Sequence, residues 1–362
     1  MTSGQSPNLR EGQPLVSRLS PRANPLFRVH CRCEDWRVSR RVGGLTVAAA
    51  LLSLQLAGCV GGQQANCGVG GVRPHPEIGG QILFTCYPGP GGRLTAPSGG
   101  LFLLDVATGQ VRALTSDRAW NIWADWSPDG SEVAFESTRD GWSDLYVMDL
   151  SNGGRVRRLT NGRGFNEEPS WSPDGVWIVF QSTRDGITAP LGHGRNYKDL
   201  YLVRSDGTDL RRLTNLTGYN GDPAWGPGGR IAFGSDRGGN FDIYTMAADG
   251  RDQRQLTDFH GTGGFAAYPR WSPDGSRIVF DAESRAWPAA SIYSIPAAGG
   301  PPSRLTDGFD ARPDWSPDGQ WVVFLRNWHG HGELFVIRPD GSDVTQLTSD
   351  GANKDVPRWR PR

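Results

Sequence analysis

"WSPDG" stands at Trp126–Gly130 and returns unchanged at Trp171–Gly175, Trp271–Gly275 and Trp315–Gly319, with a divergent copy, "WGPGG", at Trp225–Gly229. Each residue type in this pentapeptide suits a tight turn. Proline fixes φ at the second position, Asp accepts hydrogen bonds from the following backbone, and Gly closes the turn with a conformation that other residues avoid. The pentapeptide therefore predicts a hairpin turn at the end of a strand, repeated along the chain.

The spacing of the tryptophans indicates the architecture. They recur at positions 126, 171, 225, 271, 315 and 359, separated by 45, 54, 46, 44 and 44 residues. A repeat of about 40 to 50 residues is typical of β-propellers and solenoids. Each interval contains the turn, a β-branched run, a run that begins with Asp-Leu-Tyr or a close variant, and a last run that ends in Leu-Thr. Four short antiparallel strands per interval form one propeller blade.

The two ends of the repeat region predict the blade count. Residues 79–115 contain the second, third and fourth strands of a blade without a first strand, and Asp355–Arg362 reads as a first strand with nothing after it. We therefore expect an all-β, six-bladed propeller of four-stranded antiparallel blades over residues 79–362. The C-terminal strand should complete the first blade and remove the exposed sheet edges that promote aggregation.

The first 78 residues differ from the repeat region. Residues 1–37 are polar and are expected to be a disordered extension, residues 38–59 have the charged start, apolar stretch and small residues of an export signal, and residues 60–78 form a glycine-rich linker. Leu-Ala-Gly-Cys, ending at Cys59, resembles a bacterial lipobox, which predicts lipidation of Cys59. A single membrane-spanning anchor over residues 42–60 remains the alternative, and the sequence leaves Sec and twin-arginine export both open.

Cysteine use is consistent with export. Cys67 and Cys86 are the two cysteines that follow Cys59, and outside the cytoplasm such a pair can form a disulfide. Two unpaired thiols are the other interpretation.

Composition and motifs restrict the function classes. Lys plus Arg and Asp plus Glu each number 38, so the chain has no excess of positive charge and no nucleic-acid partner is expected. There is no G-x-S-x-G elbow, P-loop or H-E-x-x-H motif, so we expect no catalytic residue, no metal site and no cofactor. Calcium on the oxygens of Glu167, Glu168, Asp222, Asp310 and Asp355 is the one cofactor that the sequence leaves open.

Variable loops indicate the working face. The hairpin turns are short and uniform, whereas the loops on the opposite face vary and include the insertion at Ile187–Lys198 and the histidine-containing segment Asn327–Gly332. Residues just before each Pro-x-Trp should line the central channel at that face. These predicted funnel residues are Asn121, Trp123, Asn166, Glu167, Glu168, Asn220, Asp222, Tyr268, Asp310, Arg312, Lys354 and Asp355.

The WSPDG turn, the Asp-Leu-Tyr strand and the Leu-Thr strand together resemble the TolB-type β-propeller repeat over residues 79–362. TolB binds the peptidoglycan-associated lipoprotein and other envelope partners through its propeller, and the α/β domain that precedes that propeller has no counterpart here. The resemblance implies the propeller fold and an extracytoplasmic location, but not the same partners. Because the chain has no enzyme motif, we expect a monomeric, non-catalytic scaffold, lipid-anchored at Cys59, that binds a protein or peptide in its funnel. An envelope glycan-binding protein, or a lyase or hydrolase acting on saccharides in the same funnel, is the alternative.

Overall fold

The computed structural model describes residues 71–87, 99–116, 119–185, 198–215, 218–259, 264–284, 287–328 and 331–362. Within these ranges the chain forms 24 strands. They are β1 (Gln81–Tyr87), β2 (Gly100–Asp105), β3 (Gln110–Ala113), β4 (Asn121–Trp126), β5 (Glu132–Ser137), β6 (Asp144–Asp149), β7 (Arg155–Arg158), β8 (Asn166–Trp171), β9 (Trp177–Ser182), β10 (Asp199–Arg204), β11 (Arg211–Arg212), β12 (Asn220–Trp225), β13 (Arg230–Ser235), β14 (Asp242–Ala247), β15 (Arg254–Gln255), β16 (Phe265–Trp271), β17 (Arg277–Ser284), β18 (Trp287–Pro296), β19 (Ser303–Arg304), β20 (Asp310–Trp315), β21 (Val322–Trp328), β22 (His331–Ile337), β23 (Thr345–Gln346) and β24 (Asn353–Trp359).

The strands form six antiparallel sheets of four, which confirms the predicted six-bladed propeller. Blade 1 has the order β24-β1-β2-β3, and blades 2 to 6 each take four consecutive strands from β4 onward. In blade 1, Ile82 lies opposite Trp359 and Leu83 opposite Arg358. The C-terminal strand therefore completes the first blade, as the missing first strand of residues 79–115 predicted.

Hydrophobic packing joins each blade to the next. The buried apolar side chains form six clusters, and each cluster draws its residues from two neighbouring blades. Trp171, for example, packs with Leu145 and Val147 of blade 2 and with Phe180 and Tyr201 of its own blade. Because one of these clusters joins blade 6 to blade 1, the hydrophobic core runs around the whole ring.

The WSPDG turns have the predicted hydrogen bonds. In blade 3, the Ser172 hydroxyl donates to Asp174 Oδ1 at 2.5 Å and accepts from the Trp177 backbone N–H at 2.9 Å. The Asp174 carboxylate also accepts from the Val176 N–H at 3.0 Å, and Gly175 has a φ of 70°. Serine, aspartate and glycine thus have separate roles in closing one hairpin, which explains their joint recurrence.

The divergent turn of blade 4 has a packing explanation. Gly226 stands where the other copies have serine, and a Cβ atom at this position would lie 2.6 Å from Trp271 Cδ2 of the next blade. The Trp271 indole instead donates to the Ala224 carbonyl at 3.2 Å. Glycine is required here because the ring of Trp271 occupies the space of a side chain.

The segment that precedes β1 covers an outer sheet edge. Val72 forms an isolated antiparallel bridge with Thr348 of blade 6, and the Arg73 N–H donates to the Leu347 carbonyl at 3.3 Å. Part of the predicted linker over residues 60–78 is therefore ordered against the propeller. Among the described residues, no helix is long and apolar enough to cross a membrane.

The predicted extension, export signal and lipidation site at Cys59 lie outside the described residues. So does Cys67. Cys86, its predicted partner, is buried and disulfide-bonded.

Candidate functional site in the central channel

Each inner strand carries an irregularity at the same point. The pairing of the first two strands shifts register in all six blades, three residues before the tryptophan. The residue at this point has a φ between 49° and 58°, a region that non-glycine residues rarely adopt. These six residues, here called the channel ring, are Trp123, Glu168, Asp222, Tyr268, Arg312 and Val356. Five of them belong to the predicted funnel set.

Two aromatic residues of the channel ring meet across the channel. Trp123 belongs to blade 2 and Tyr268 to blade 5, which are opposite blades, yet their ring centroids are 5.8 Å apart with an interplanar angle of 11°. The Arg312 guanidinium carbon lies 3.4 Å from the Tyr268 centroid and 4.3 Å from the Trp123 centroid. These three side chains form a floor across the channel, held by stacking and cation–π contacts.

The other side of the channel ring is acidic. Glu168 and Asp222 line one cavity together with Trp123 and Tyr268. Burial raises the pKa of Glu168 well above its ordinary value, and the negative charge of Asp222 raises it further. The Asp222 backbone N–H donates to Gln181 Oε1 at 3.0 Å, which fixes this part of the strand.

Glu167 is paired with Lys198, the last residue of the long insertion. The buried Lys198 ammonium donates to Glu167 Oε2, and Gln181 Nε2 donates to the same oxygen at 3.1 Å. Burial acts to lower the pKa of Lys198, but Glu167 and the neighbouring carboxylates raise it overall. Lys198 is therefore a charged lysine that compensates part of the acidic side of the channel.

A second set of polar residues lies two positions further along the inner strands. Asp125, Arg270, Asp314 and Arg358 alternate in charge around the channel, and Arg358 Nε is 3.9 Å from Asp125 Oδ1. Burial raises the pKa of Asp314 to about 7. The Asp125 and Asp314 carboxylates accept backbone N–H groups of the next blade, from Trp171 at 3.0 Å and Trp359 at 2.8 Å. These residues tie blades together below the floor.

Four predicted funnel residues lie inside their blades instead. Asn121, Asn166, Asn220 and Asp310 are fully buried at the start of the inner strand. In each case a side-chain oxygen accepts a hydrogen bond from an arginine near the end of the second strand of the same blade. Asn166 Oδ1, for example, accepts from Arg184 Nη2 at 2.6 Å. Arg184 in turn stacks on the rings of Phe180 and Tyr201. The four buried side chains therefore brace the inside of their blades, because they expose no surface to the channel.

The last two predicted residues have different surroundings. The Lys354 side chain is fully buried between Asp350 and Glu333, with its Nζ 3.0 Å from Glu333 Oε2. Asp355 lies at the channel, where Arg312 Nε is 3.5 Å from Asp355 Oδ1 and Tyr87 Oη donates to Asp355 Oδ2 at 3.3 Å. Lys354 therefore braces the junction of blades 6 and 1, and Asp355 belongs to the site.

Sequence reasoning missed three residues of the site, which lie on the second strands of their blades. Glu136, Gln181 and Asp281 each follow the buried phenylalanine of their strand and face the inner strand of the next blade. The sequence does contain a signal for these residues. The phenylalanine is the same in all six blades, whereas the residue after it varies and is Glu, Gln, Gly, Asp, Leu or Thr.

The proposed calcium ligands do not gather at one point. Asp310 is bound by Arg326 inside blade 6 and Asp355 by Arg312 in the channel. In the part of the chain that the structure describes, no three His, Cys, Asp or Glu side chains are placed to hold a metal ion. Most of the insertion at Ile187–Lys198 and part of the histidine-containing segment Asn327–Gly332 lie outside the described residues.

Three exposed aromatic side chains lie in loops next to the inner strands or between the second and third strands. Trp142 lies between β5 and β6, Phe165 directly before β8 and Phe309 directly before β20, with exposed fractions of 58%, 48% and 65%. Loops at these positions belong to the face of the variable loops. Leu210 and Val344 are also exposed but lie in the turns of the opposite face.

Comparison with known proteins agrees with the propeller fold. Residues 94–189 and 251–362, more than half of the chain, match the TolB beta propeller domain family. No curated protein sequence matches the chain.

Solved structures show the same fold. TolB from Acinetobacter baumannii is 24% identical with a TM-score of 0.64 and covers 78% of this chain and 67% of its own. A putative TolB from Agrobacterium tumefaciens is 22% identical with a TM-score of 0.57, over 78% of this chain and 99% of its own. An oligogalacturonate lyase in complex with manganese is 18% identical with a TM-score of 0.53, over 71% and 74%. The chain belongs to the TolB β-propeller domain family.

Proposed function

We propose that this protein is a non-catalytic binding scaffold, tethered at the bacterial cell envelope, that holds a protein or peptide partner on its funnel face. The observation that carries the proposal is the combination of exposed Trp142, Phe165 and Phe309 with a channel that is closed below them. Exposed aromatic groups around a concave, partly charged centre are typical of protein-binding surfaces. A partner meets the floor of Trp123, Tyr268 and Arg312 and is therefore bound at the surface.

The charge of the funnel favours a partner with basic segments. Glu167, Asp222 and Asp355 lie around the floor, and the cations nearest to them, Lys198 and Arg312, are already engaged with Glu167 and Asp355. A negative potential at the mouth speeds the approach of basic segments, and binding should weaken as salt screens it.

Site-specific photo-crosslinking in the native envelope tests the proposed face. A benzophenone amino acid at position 309 is expected to yield a discrete protein adduct, because Phe309 would contact the partner. The same amino acid at position 344 is the matched control, since Val344 is similarly exposed but lies on the opposite face. Adducts from position 344 alone would overturn the assignment of the face. Absence of protein adducts from position 309, with retention of the protein on envelope oligosaccharides, would favour the glycan alternative.

The anchor is a separate prediction. If Cys59 carries lipid, the Cys59→Ala variant should move from the membrane fraction to the soluble fraction, because the acyl chains that hold it in the membrane would be missing. Cell fractionation followed by immunoblotting measures this. Replacement of Cys67 by alanine is the control and should leave the protein in the membrane fraction. Retention of both variants would support the alternative of a membrane-spanning anchor.

A further inference from the structure

Two exposed aromatic residues lie together where blades 2 and 3 meet. The Asn166 N–H donates to the Ser143 carbonyl at 3.1 Å, so the start of β8 adjoins the start of β6. Trp142 and Phe165 are the residues directly before this hydrogen-bonded pair. They are therefore two neighbouring, exposed apolar residues at one blade junction.

A buried carboxylate with an unused oxygen bonds to Ser143, the residue that follows Trp142. Glu136, on β5, is only 6% exposed, and its Oε1 accepts from the Ser143 hydroxyl at 2.6 Å. Its other oxygen, Oε2, is buried and has no hydrogen-bond partner among the described residues. A buried acceptor without a donor is unfavourable, since the interactions lost from water are not replaced.

The carboxylate of Glu167 lies at the same junction and is reachable from solvent. Its side chain is 16% exposed, and its charge is close enough to raise the pKa of Glu136, although burial raises that pKa more. Lys198 acts on Glu136, Glu167, Glu168 and Asp222, and Arg312 also acts on Glu168. The junction therefore has one acceptor, Glu136 Oε2, that no described residue satisfies, and beside it the partly exposed carboxylate of Glu167.

We propose that Glu136, Glu167, Trp142 and Phe165 form a subsite, here called the junction site, that takes a lysine or arginine side chain of the partner together with an adjacent apolar residue. The cationic head would donate to Glu167 and to the unused oxygen of Glu136. The neighbouring apolar side chain, and the stem of the cation, would pack on Trp142 and Phe165. An organic cation fits this site better than a metal ion, because no metal-binding group of side chains occurs among the described residues.

This inference rests on the proposed function and is tested with peptides. Random nine-residue peptides displayed on phage are selected on the detergent-solubilised full chain, and the enriched sequences are expected to carry Lys or Arg beside an aromatic or aliphatic residue. The affinity of one enriched synthetic peptide is then measured by fluorescence polarisation. Glu136→Gln, Glu167→Gln and Trp142→Ala should each weaken binding by about tenfold or more.

Matched variants and a double-mutant cycle make the assignment specific. Glu132→Gln, at the other end of β5, and Leu210→Ala, an exposed apolar residue of the opposite face, should leave affinity unchanged. Replacing the peptide's cation by glutamine should weaken binding to the wild type but cause little further loss with Glu167→Gln.

Three results would overturn the junction site. They are enrichment of acidic or uncharged peptides, equal losses in the control variants, and additive losses in the cycle. Peptides whose binding depends on Phe309 but not on Glu167 would refute the junction site and leave the proposed function standing. Failure to enrich any peptide would count against both.

Discussion

Deletion of Val356–Arg362 should remove the cooperative thermal unfolding of this propeller. The deletion takes away most of β24, the inner strand of blade 1, and leaves β1 with an open edge. It also removes Trp359, which is buried between blades 6 and 1, and the Arg358 carbonyl that accepts from the Trp126 indole. Loss of one buried tryptophan costs about 3 to 5 kcal/mol, and a whole domain is stable by only about 5 to 15 kcal/mol.

Scanning calorimetry of the truncated and intact proteins measures this effect. A variant that lacks only Arg362 is the control, because this side chain is exposed and its ion pair with Asp318 is at the surface. The short control truncation should melt within a few degrees of the intact protein, whereas the seven-residue truncation should show a much lower transition or none. An unchanged melting temperature after the longer deletion would mean that ring closure through β24 contributes little to stability.

The fold could be predicted from the sequence because each blade repeats the same physical solution. Ser172, Asp174 and Gly175 close a hairpin through their own short-range bonds, so the local sequence is sufficient to place the turn. The tryptophan before the turn packs against the neighbouring blade, so its spacing reports the blade repeat. Closure of the ring could also be predicted, because the repeat region lacks a first strand at its N-terminal end and has one at its C-terminal end.

The channel was predicted less completely, and Asn166 shows why. Position within the inner strand suggested that this asparagine faces the channel, but its side chain turns into the blade to meet Ser182 and Arg184. The same Asn, Ser and Arg combination recurs in three blades, and recurrence of this kind indicates a structural role. Val356 was missed for the opposite reason, because a search for polar and aromatic residues passes over an apolar member of the ring.

Charge compensation between different strands of a blade was beyond local sequence reasoning. Glu167 is neutralised by Lys198, which is 31 residues away, and Asp310 by Arg326 on the next strand. Because Asp222 is buried and Glu167 is paired, reversing their charges would cost stability as well as binding. Neutral substitutions such as Glu167→Gln are therefore better probes of the funnel than charge reversals.

The Asp281→Asn variant is expected to be more stable than the wild type at pH 8 and equally stable near pH 4. Burial raises the pKa of Asp281 to about 7, and the Arg312 charge offsets only part of this rise. The folded protein therefore holds a proton that the unfolded chain releases above pH 4. Stability from this group is complete below about pH 4 and is lost as pH rises to about 7. A rise of the pKa from its ordinary value to about 7 corresponds to at most about 4 kcal/mol of folding stability. Asparagine is neutral at every pH, so the variant does not lose this stability as pH rises.

Urea unfolding at pH 5 and pH 8 measures the difference. The wild type should lose stability between these pH values, and Asp281→Asn should lose less. The loss that remains in the variant comes from other buried carboxyl groups such as Asp314 and Glu168, whose pKa values are also raised. Asp274→Asn is the control. Hydrogen bonds from Ser272 and Ser276 lower the pKa of this exposed turn residue to about 2, so it stays ionised throughout the range and its replacement should leave the pH dependence unchanged. If the wild type and Asp281→Asn lose equal stability from pH 5 to pH 8, Asp281 is already ionised in the fold and Arg312, not burial, determines its charge.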